Sequence, residues 1–288
     1  MNRTRNGAKS PRARALGSAL AEARHAAGLT QRATASRLGV HHTRIARAET
    51  GAHPPSSEDT ASILALFGIT GAHRDEILEM ARDIDRGNWT VTGAGVPSAL
   101  TTLVDYEREA TAITVSTPLL VPGLLQTMSY ARAIISAGDA TPEEIEARTM
   151  YRMGRQEILR AATAPRFMSI FHEWALQSPV GGHAAMAEQM KRLLSWIEHD
   201  HISVQVVPSS IGPSVSSSGN FSIYEFDRSP PIVHLEHLSA STFVDDARHI
   251  ANFLAAREIV LKEAMSPEES IKLITDVYLP HHQERQDR

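Results

Sequence analysis

The sequence has 288 residues, of which 42% are hydrophobic, and a formal net charge of −4. This length suffices for two domains, and the absence of cysteine excludes disulfides and thiolate metal sites. No apolar run approaches the ~20 residues of a membrane helix, and the basic N-terminus lacks the apolar core of a signal peptide. We therefore expect a cytoplasmic protein without a membrane partner.

The charge is distributed unevenly along the chain. Residues 1–53 contain ten Arg and Lys against two Glu, a net charge of +8, so residues 54–288 carry −12. A basic N-terminal segment in an otherwise acidic chain is typical of a protein that binds nucleic acid through that segment. A solubility device is one alternative, and a membrane-surface patch is another. The helix predicted at 14–27 has only a modest apolar stripe around Leu16 and Leu20, which disfavours the membrane.

Residues 31–49 predict a helix-turn-helix. Thr30 is positioned to cap the first helix, and Ala35 is small where the two helices meet. Gly39 permits the left-handed backbone of the turn, and Ile45 is the apolar plug of the second helix. Two ordinary surface helices joined at a glycine would not require all these residue types at this spacing. The pattern therefore predicts a motif that docks in the major groove of DNA.

The second helix of the motif presents hydrogen-bonding side chains near its N-terminus, the part that enters the groove. We expect Thr30 and Gln31 to contact phosphates, and Arg44 to make a two-pronged contact to guanine. A motif of this size covers one half-site, so a homodimer on a double-stranded operator is predicted. The predicted DNA-binding residues are Thr30, Gln31, Arg32, Arg37, His41, His42, Thr43, Arg44 and Arg47.

The motif belongs to an all-α domain predicted for residues 1–86, in which Ser56 or Ser57 caps a fourth helix. Glycines and a proline predict a linker or loop at 87–98. Further helices are predicted at about 100–113, 124–137, 142–161, 183–198, 244–264 and 267–278, and strands at 166–171, 202–207, 221–226 and 232–235. This alternation predicts a mixed α/β (α+β) domain over 99–280 with a sheet of about four strands, followed by a charged tail at 281–288.

Patterns for catalysis and metal binding are weak. The sequence has no Gly-x-Ser-x-Gly elbow, phosphate-binding Gly-Lys-Ser/Thr loop or Gly-x-Gly-x-x-Gly turn. His199-Asp200-His201 is interpreted as a polar turn, and Asp245 with His249 as a solvated pair on one helix face, since neither has a third ligand. His281-His282 is assigned to the charged tail. We therefore predict no catalytic residue, metal or cofactor, although an enzyme domain fused to a DNA-binding head remains the alternative.

A second surface is predicted in the acidic domain, whose charge repels DNA and favours a cationic or mixed-charge partner. The Ser- and Gly-rich loop 209–219 can close over a neighbouring surface. Val121–Thr127, with a proline and a glycine among leucines, is either a core-forming bend or the wall of a groove, and Leu124 and Leu125 are assigned to the core. The predicted partner- or ligand-binding residues are Glu173, Trp174, Pro208 and Glu236.

Several motifs resemble those of a known family over nearly the whole chain. Gly28-Leu29-Thr30-Gln31, Leu38-Gly39-Val40 and Glu49-Thr50-Gly51 are common to Xre proteins. More specific are Glu107-Arg108-Glu109-Ala110, Val121–Thr127, Tyr130-Ala131-Arg132-Ala133, Arg155-Gln156 and Gln205-Val206-Val207-Pro208. With these motifs the chain resembles actinomycete Xre-type regulators that join a helix-turn-helix to a Scr1-like or DUF5753 domain, a group that includes WhiJ-like regulators.

The resemblance implies a transcriptional regulator that works with a small partner protein of the DUF397 or BldB-like kind. It also implies an antitoxin-like role for some members. The chain departs from the family at His41, where Ser or Thr usually caps the recognition helix. Histidine is a weaker cap than Ser or Thr, and this position sets the register of the base-reading residues.

Overall fold

A computed structural model describes residues 10–82, 84, 89–92, 97–227, 229–237 and 240–286. The basic residues Arg3, Arg5 and Lys9 and the glycines of the linker predicted at 87–98 lie outside these residues. The boundaries predicted at residues 86 and 99 therefore stay a prediction. The chain divides into two compact units: residues 1–106 with 228–249 form the first, and residues 107–227 with 250–288 form the second.

The described residues form thirteen α-helices and seven strands. The helices are α1 (Pro11–Ala26), α2 (Gln31–Arg37), α3 (His42–Glu49), α4 (Ser57–Leu66), α5 (Gly71–Arg82), α6 (Pro97–Glu109), α7 (Met128–Ser136), α8 (Pro142–Arg155), α9 (Trp174–Gln177), α10 (His183–Ile197), α11 (Ala247–Glu263), α12 (Pro267–Leu273) and α13 (Leu279–Gln286). The strands are β1 (Trp89–Thr92), β2 (Ala112–Thr117), β3 (Arg166–His172), β4 (Ile202–Val207), β5 (Phe221–Glu225), β6 (Ile232–His237) and β7 (Ala240–Val244). No described helix has the length and apolar character required to span a bilayer.

Helices α1 to α5 form the N-terminal part of the first unit, as predicted. Side-chain oxygens of Ser10, Thr30 and Ser56 accept backbone N–H groups at 3.2, 3.1 and 3.1 Å, and so cap α1, α2 and α4. The buried core joins α1, α4 and α5 through Leu16, Leu20, Ala23, Ile63, Leu64, Phe67, Ile77, Leu78 and Ala81. The predicted cap at Thr30 is therefore confirmed, and of the two candidates for α4 the cap is Ser56.

Helices α1 and α3 approach each other closely enough for backbone contact. A Cβ atom on Gly17 would collide with the carbonyl oxygen of Glu49, so this crossing requires glycine. Across the same junction, Nε and Nη2 of Arg24 donate to the Glu49 carboxylate at 2.6 and 2.9 Å. Nη1 of Arg24 donates to the carbonyl oxygen of Leu29 at 2.8 Å. Helix α1 thus holds the C-terminal end of α3, the predicted recognition helix.

The rest of the first unit contains most of α6 and three antiparallel strands. Strand β7 pairs with β1 and with β6, with Trp89 opposite Phe243 and Val233 opposite Val244. In the same unit, the guanidinium carbon of the buried Arg14 lies 4.4 Å from the ring centre of Tyr106. A cation over an aromatic face is attracted by the ring's quadrupole, which attaches α1 to α6.

The second unit contains four strands in the order β5-β2-β3-β4. Strands β2, β3 and β4 are parallel, with Ala112 opposite Arg166 and Phe167 opposite Ile202, whereas β5 runs antiparallel to β2. Parallel neighbours require long crossover connections, and here α7 with α8 and α9 with α10 supply them. The predicted fold class, a helical N-terminal domain followed by a mixed α/β domain, is confirmed.

Several predicted elements differ from the structure. The helix predicted at 100–113 ends at Glu109, and β2 begins at Ala112, because Ile113, Val115 and their threonine neighbours favour an extended backbone. Strands β1, β2 and β7 were not predicted, so the described residues contain seven strands rather than about four. Residues predicted as a charged tail form α13 as far as Gln286, because His282 is fully buried.

Candidate nucleic-acid interface

The predicted helix-turn-helix is formed by α2 and α3. Ala35, Ile45 and Ala48 are 2%, 4% and 4% exposed, so the predicted small residue and the apolar plug lie in the core between the helices. Gly39 has a φ of +65° in the turn, a backbone conformation that residues other than glycine rarely adopt. These local residues fix how α3 is presented to solvent.

The side chains predicted to reach DNA from α3 are all exposed: His41, His42, Thr43, Arg44 and Arg47. Nδ1 of His41 accepts from the backbone N–H of Thr43 at 3.4 Å, which is longer than the other side-chain caps of this domain. Nδ1 also accepts from the Thr43 hydroxyl at 2.9 Å. The histidine cap is therefore made as the sequence predicted, in a weak form.

Arg44 is engaged by an acidic residue at the start of α4. Nη2 of Arg44 donates to Asp59 at 2.6 Å, and the two side chains are 59% and 45% exposed to water. A cavity of about 480 Å³ between α3 and α4 lies beside this pair. Exposed ion pairs contribute only ~0–1 kcal/mol, so Arg44 can leave Asp59 for a base edge at little cost.

Gln31 has a structural partner that the sequence did not predict. Its side-chain amide donates to Oε2 of Glu49 at 2.8 Å, in the same cluster as Arg24. A contact of Gln31 with phosphate would therefore use the backbone N–H at the start of α2, where helical N–H groups lack an intrahelical acceptor. Arg32 and Arg37 are exposed. The DNA contacts of all nine residues stay a prediction.

In the second unit, Glu173 holds the beginning of the Ser-rich loop. Its Oε2 accepts from the backbone N–H and the hydroxyl of Ser209 at 2.7 and 2.6 Å, and its Oε1 accepts from the Tyr278 hydroxyl at 2.6 Å. Burial alone would raise the pKa of Glu173, but these hydrogen bonds outweigh it and hold the pKa below its ordinary value. Burial, together with the Glu173 carboxylate, raises the pKa of Tyr278 to about 12.

The other residues predicted for the partner surface are divided between the two units. Trp174 stacks on His172 with ring centres 3.7 Å apart, and Pro208 directly precedes Ser209, so both belong with Glu173 in the second unit. Glu236 is exposed on β6 of the first unit. The role of these four residues in binding stays a prediction.

The segment Val121–Thr127 is a bend with buried leucines, and several of its backbone groups form hydrogen bonds with glutamine side chains. Gln126 donates to the Val121 carbonyl at 2.7 Å, and Gln189 of α10 accepts from the Thr127 N–H at 2.8 Å and donates to the Leu125 carbonyl at 2.9 Å. Leu124 and Leu125 are 4% and 0% exposed. Leu124 and Leu125 therefore belong to a core-forming bend, as assigned from the sequence, and not to the wall of a groove.

The two histidine patterns weighed as metal candidates have different outcomes: the turn predicted at His199-Asp200-His201 is present, whereas the helix pair predicted for Asp245 and His249 is not. His199 and His201 lie in a turn before β4, and Nε2 of His201 donates to the Leu159 carbonyl oxygen at 2.9 Å. Asp245 precedes α11, which begins only at Ala247, so Asp245 and His249 do not share one helix face. The prediction of a solvated helix pair was wrong on this point, because Asp246 accepts the first N–H groups of the helix.

Comparison with known proteins identifies two family models. A model described as a helix-turn-helix domain matches residues 15–77. A model described as a domain of unknown function, DUF5753, matches residues 100–276. No curated protein matches the chain.

Proposed function

The chain belongs to the DUF5753 family and carries a helix-turn-helix domain that supports a DNA-binding regulator, and from this premise we propose that it recognises a specific operator through α3. The observation that carries the proposal is the exposed row of hydrogen-bonding side chains from His41 to Arg47, presented on a small buried core. Arg44 reads a guanine edge, and Arg32 and Arg37 supply sequence-independent attraction to phosphates. The chain acts as a homodimer on two half-sites ~34 Å apart.

Arg44→Ala is expected to relax the preference at one base pair of the operator. A two-pronged arginine–guanine contact supplies ~1–3 kcal/mol of discrimination, about 5- to 150-fold. Asp59→Asn is expected to tighten binding by up to about fivefold, because it releases Arg44 and removes a negative charge beside the DNA. Binding constants for the operator and single-base variants, measured at one salt concentration, test both changes, and light scattering of the complex tests for two chains per operator.

The matched control is Arg82→Ala, which removes an exposed arginine that pairs with Glu79 at 3.3 Å on α5, outside the helix-turn-helix. This variant should leave the ranking of operator variants unchanged. Full selectivity in the Arg44 variant would show that α3 does not read the sequence through this residue.

We further propose that the acidic domain receives a small partner protein of the DUF397 or BldB-like kind at the surface formed by Glu173, Trp174, Pro208 and the loop that starts at Ser209. The net charge of −8 on residues 99–280 supports a cationic or mixed-charge partner.

Glu173→Gln is expected to loosen the loop 209–219 and to weaken the response to the partner while leaving basal DNA binding intact. The folded-state pKa of Glu173 is lowered, so its stabilising contribution is present above the unfolded pKa and is lost as pH falls through the folded value. The protection of the Ser209 amide from hydrogen exchange, measured relative to the intrinsic rate at the same pH, should therefore fall on acidification in the wild type and be low already at neutral pH in the variant. Glu143→Gln, at an exposed position in the first turn of α8, is the control. Unchanged exchange in the Glu173 variant would remove this residue from the loop's support.

A further inference from the structure

Three histidines that are distant in the sequence meet in the second unit. His183 is the first residue of α10, and His281 and His282 lie on α13. Nδ1 of His183 and Nδ1 of His282 are 2.9 Å apart, and one ring nitrogen from each of the three lies within 4.8 Å of the others. Among the described residues, this is the group of potential ligands close enough to share one metal ion.

The hydrogen bond on the far side of the His282 ring fixes its tautomer. His282 is fully buried, and its Nε2 lies 2.8 Å from the carbonyl oxygen of Leu176 in α9. Because a carbonyl oxygen can only accept, Nε2 carries the proton, so Nδ1 of the neutral ring accepts the 2.9 Å hydrogen bond from Nδ1 of His183, and a metal ion bound by both rings would take the place of that proton. A histidine that donates one ring N–H to a backbone carbonyl presents its other nitrogen in the orientation typical of metal ligands in proteins.

The distances suit a small cation. With zinc–nitrogen bonds of ~2.0–2.1 Å, ligand nitrogens in a tetrahedral site lie roughly 3.3–3.4 Å apart. The His183–His282 separation is shorter by only a few tenths of an ångström, and the half-buried His281 can reach the same point by rotating its side chain. Three imidazoles without a carboxylate favour zinc, copper or nickel over magnesium or calcium.

We propose that His183, His281 and His282 form a binding site for a divalent transition metal, with zinc as the preferred ion and a fourth coordination position open. The metal would fasten α13 to the start of α10, and through His282 to α9. Tyr278, one turn before His282, donates to Glu173. Metal binding therefore stabilises the helical turn before α13 that carries Tyr278, the residue that orients Glu173, while the site itself requires neither DNA nor a protein partner.

The test uses the full-length chain without a histidine tag, dialysed against a chelator and titrated with zinc chloride by calorimetry. We expect one zinc ion per chain, confirmed by native mass spectrometry, and a zinc-dependent rise in the unfolding temperature. His183→Gln and His281→Gln should each weaken binding by at least ~10–100-fold. Both positions are half-buried, so these variants retain more of the core than a change at the buried His282 would.

His199→Gln, at an exposed histidine beyond the other end of α10, is the matched control and should bind zinc as the wild type does. Circular dichroism of the zinc-free variants checks that each retains the helical content of the wild type. Cobalt(II) provides a second readout, because a tetrahedral nitrogen site gives a visible absorption band that should vanish in both ligand variants. Absence of stoichiometric zinc in the wild type, or equal zinc affinity in all three variants, would overturn the proposal.

Discussion

Glu49→Ala is expected to destabilise the helix-turn-helix by ~3–5 kcal/mol and to abolish operator binding. The side chains of Glu49 and Arg24 are both only 7% exposed, so the alanine variant leaves a buried guanidinium without its counter-ion. It also removes the acceptor for the Gln31 amide, and with it the contact that joins α2 to the end of α3. A loss of this size is a large part of the ~5–15 kcal/mol that stabilises a typical domain.

In urea denaturation, the loss in the N-terminal domain is measured as the part of the helical circular-dichroism transition that moves to lower urea while the tryptophan transition stays in place. Tryptophan fluorescence reports mainly on the second unit, which contains Trp174 and Trp196. Glu79→Ala breaks the exposed pair with Arg82 and should cost no more than ~1 kcal/mol. The double variant Arg24→Met with Glu49→Leu should recover most of the stability, since a buried ion pair can often be replaced by apolar side chains. An alanine variant as stable as the control would refute the role given to this pair.

Glu107→Ala is expected to destabilise the second unit by a similar amount, ~3–5 kcal/mol. The Glu107 side chain is 1% exposed, and Arg155 donates to its two carboxylate oxygens at 3.0 and 2.5 Å. The pair joins the end of α6 to the end of α8, two segments 48 residues apart. Without the carboxylate, a mostly buried arginine loses its principal charged partner.

The measurement is the denaturation midpoint of the tryptophan signal, compared with that of Glu146→Ala. Glu146 pairs with Arg132 at 2.8 Å, but both side chains are exposed, so this control should cost ~1 kcal/mol or less. Rescue by Glu107→Leu combined with Arg155→Met would attribute the loss to the uncompensated charge. Equal midpoints for the Glu107 and Glu146 variants would contradict the energetic difference between buried and exposed pairs at these positions.

The sequence by itself determined the parts of this protein that depend on local interactions. The helix-turn-helix could be predicted because Thr30, Ala35, Gly39 and Ile45 lie within one short segment, where a cap, a close crossing, a left-handed turn and an apolar plug act on neighbouring backbone. The helix start at Thr141-Pro142 and strand β4, rich in β-branched residues, were predicted for the same reason.

Only the tertiary structure decided which charged and polar side chains meet. Arg24 and Glu49 are 25 residues apart, Arg44 and Asp59 are 15 apart, and His183 and His282 are 99 apart. No periodicity or propensity encodes such pairs, because a long-range contact depends on how separate helices pack and not on the residues beside it. The same holds for β1 and β7, two short strands that pair across more than 140 residues of sequence. It holds also for α13, whose charged sequence does not indicate that His282 is buried.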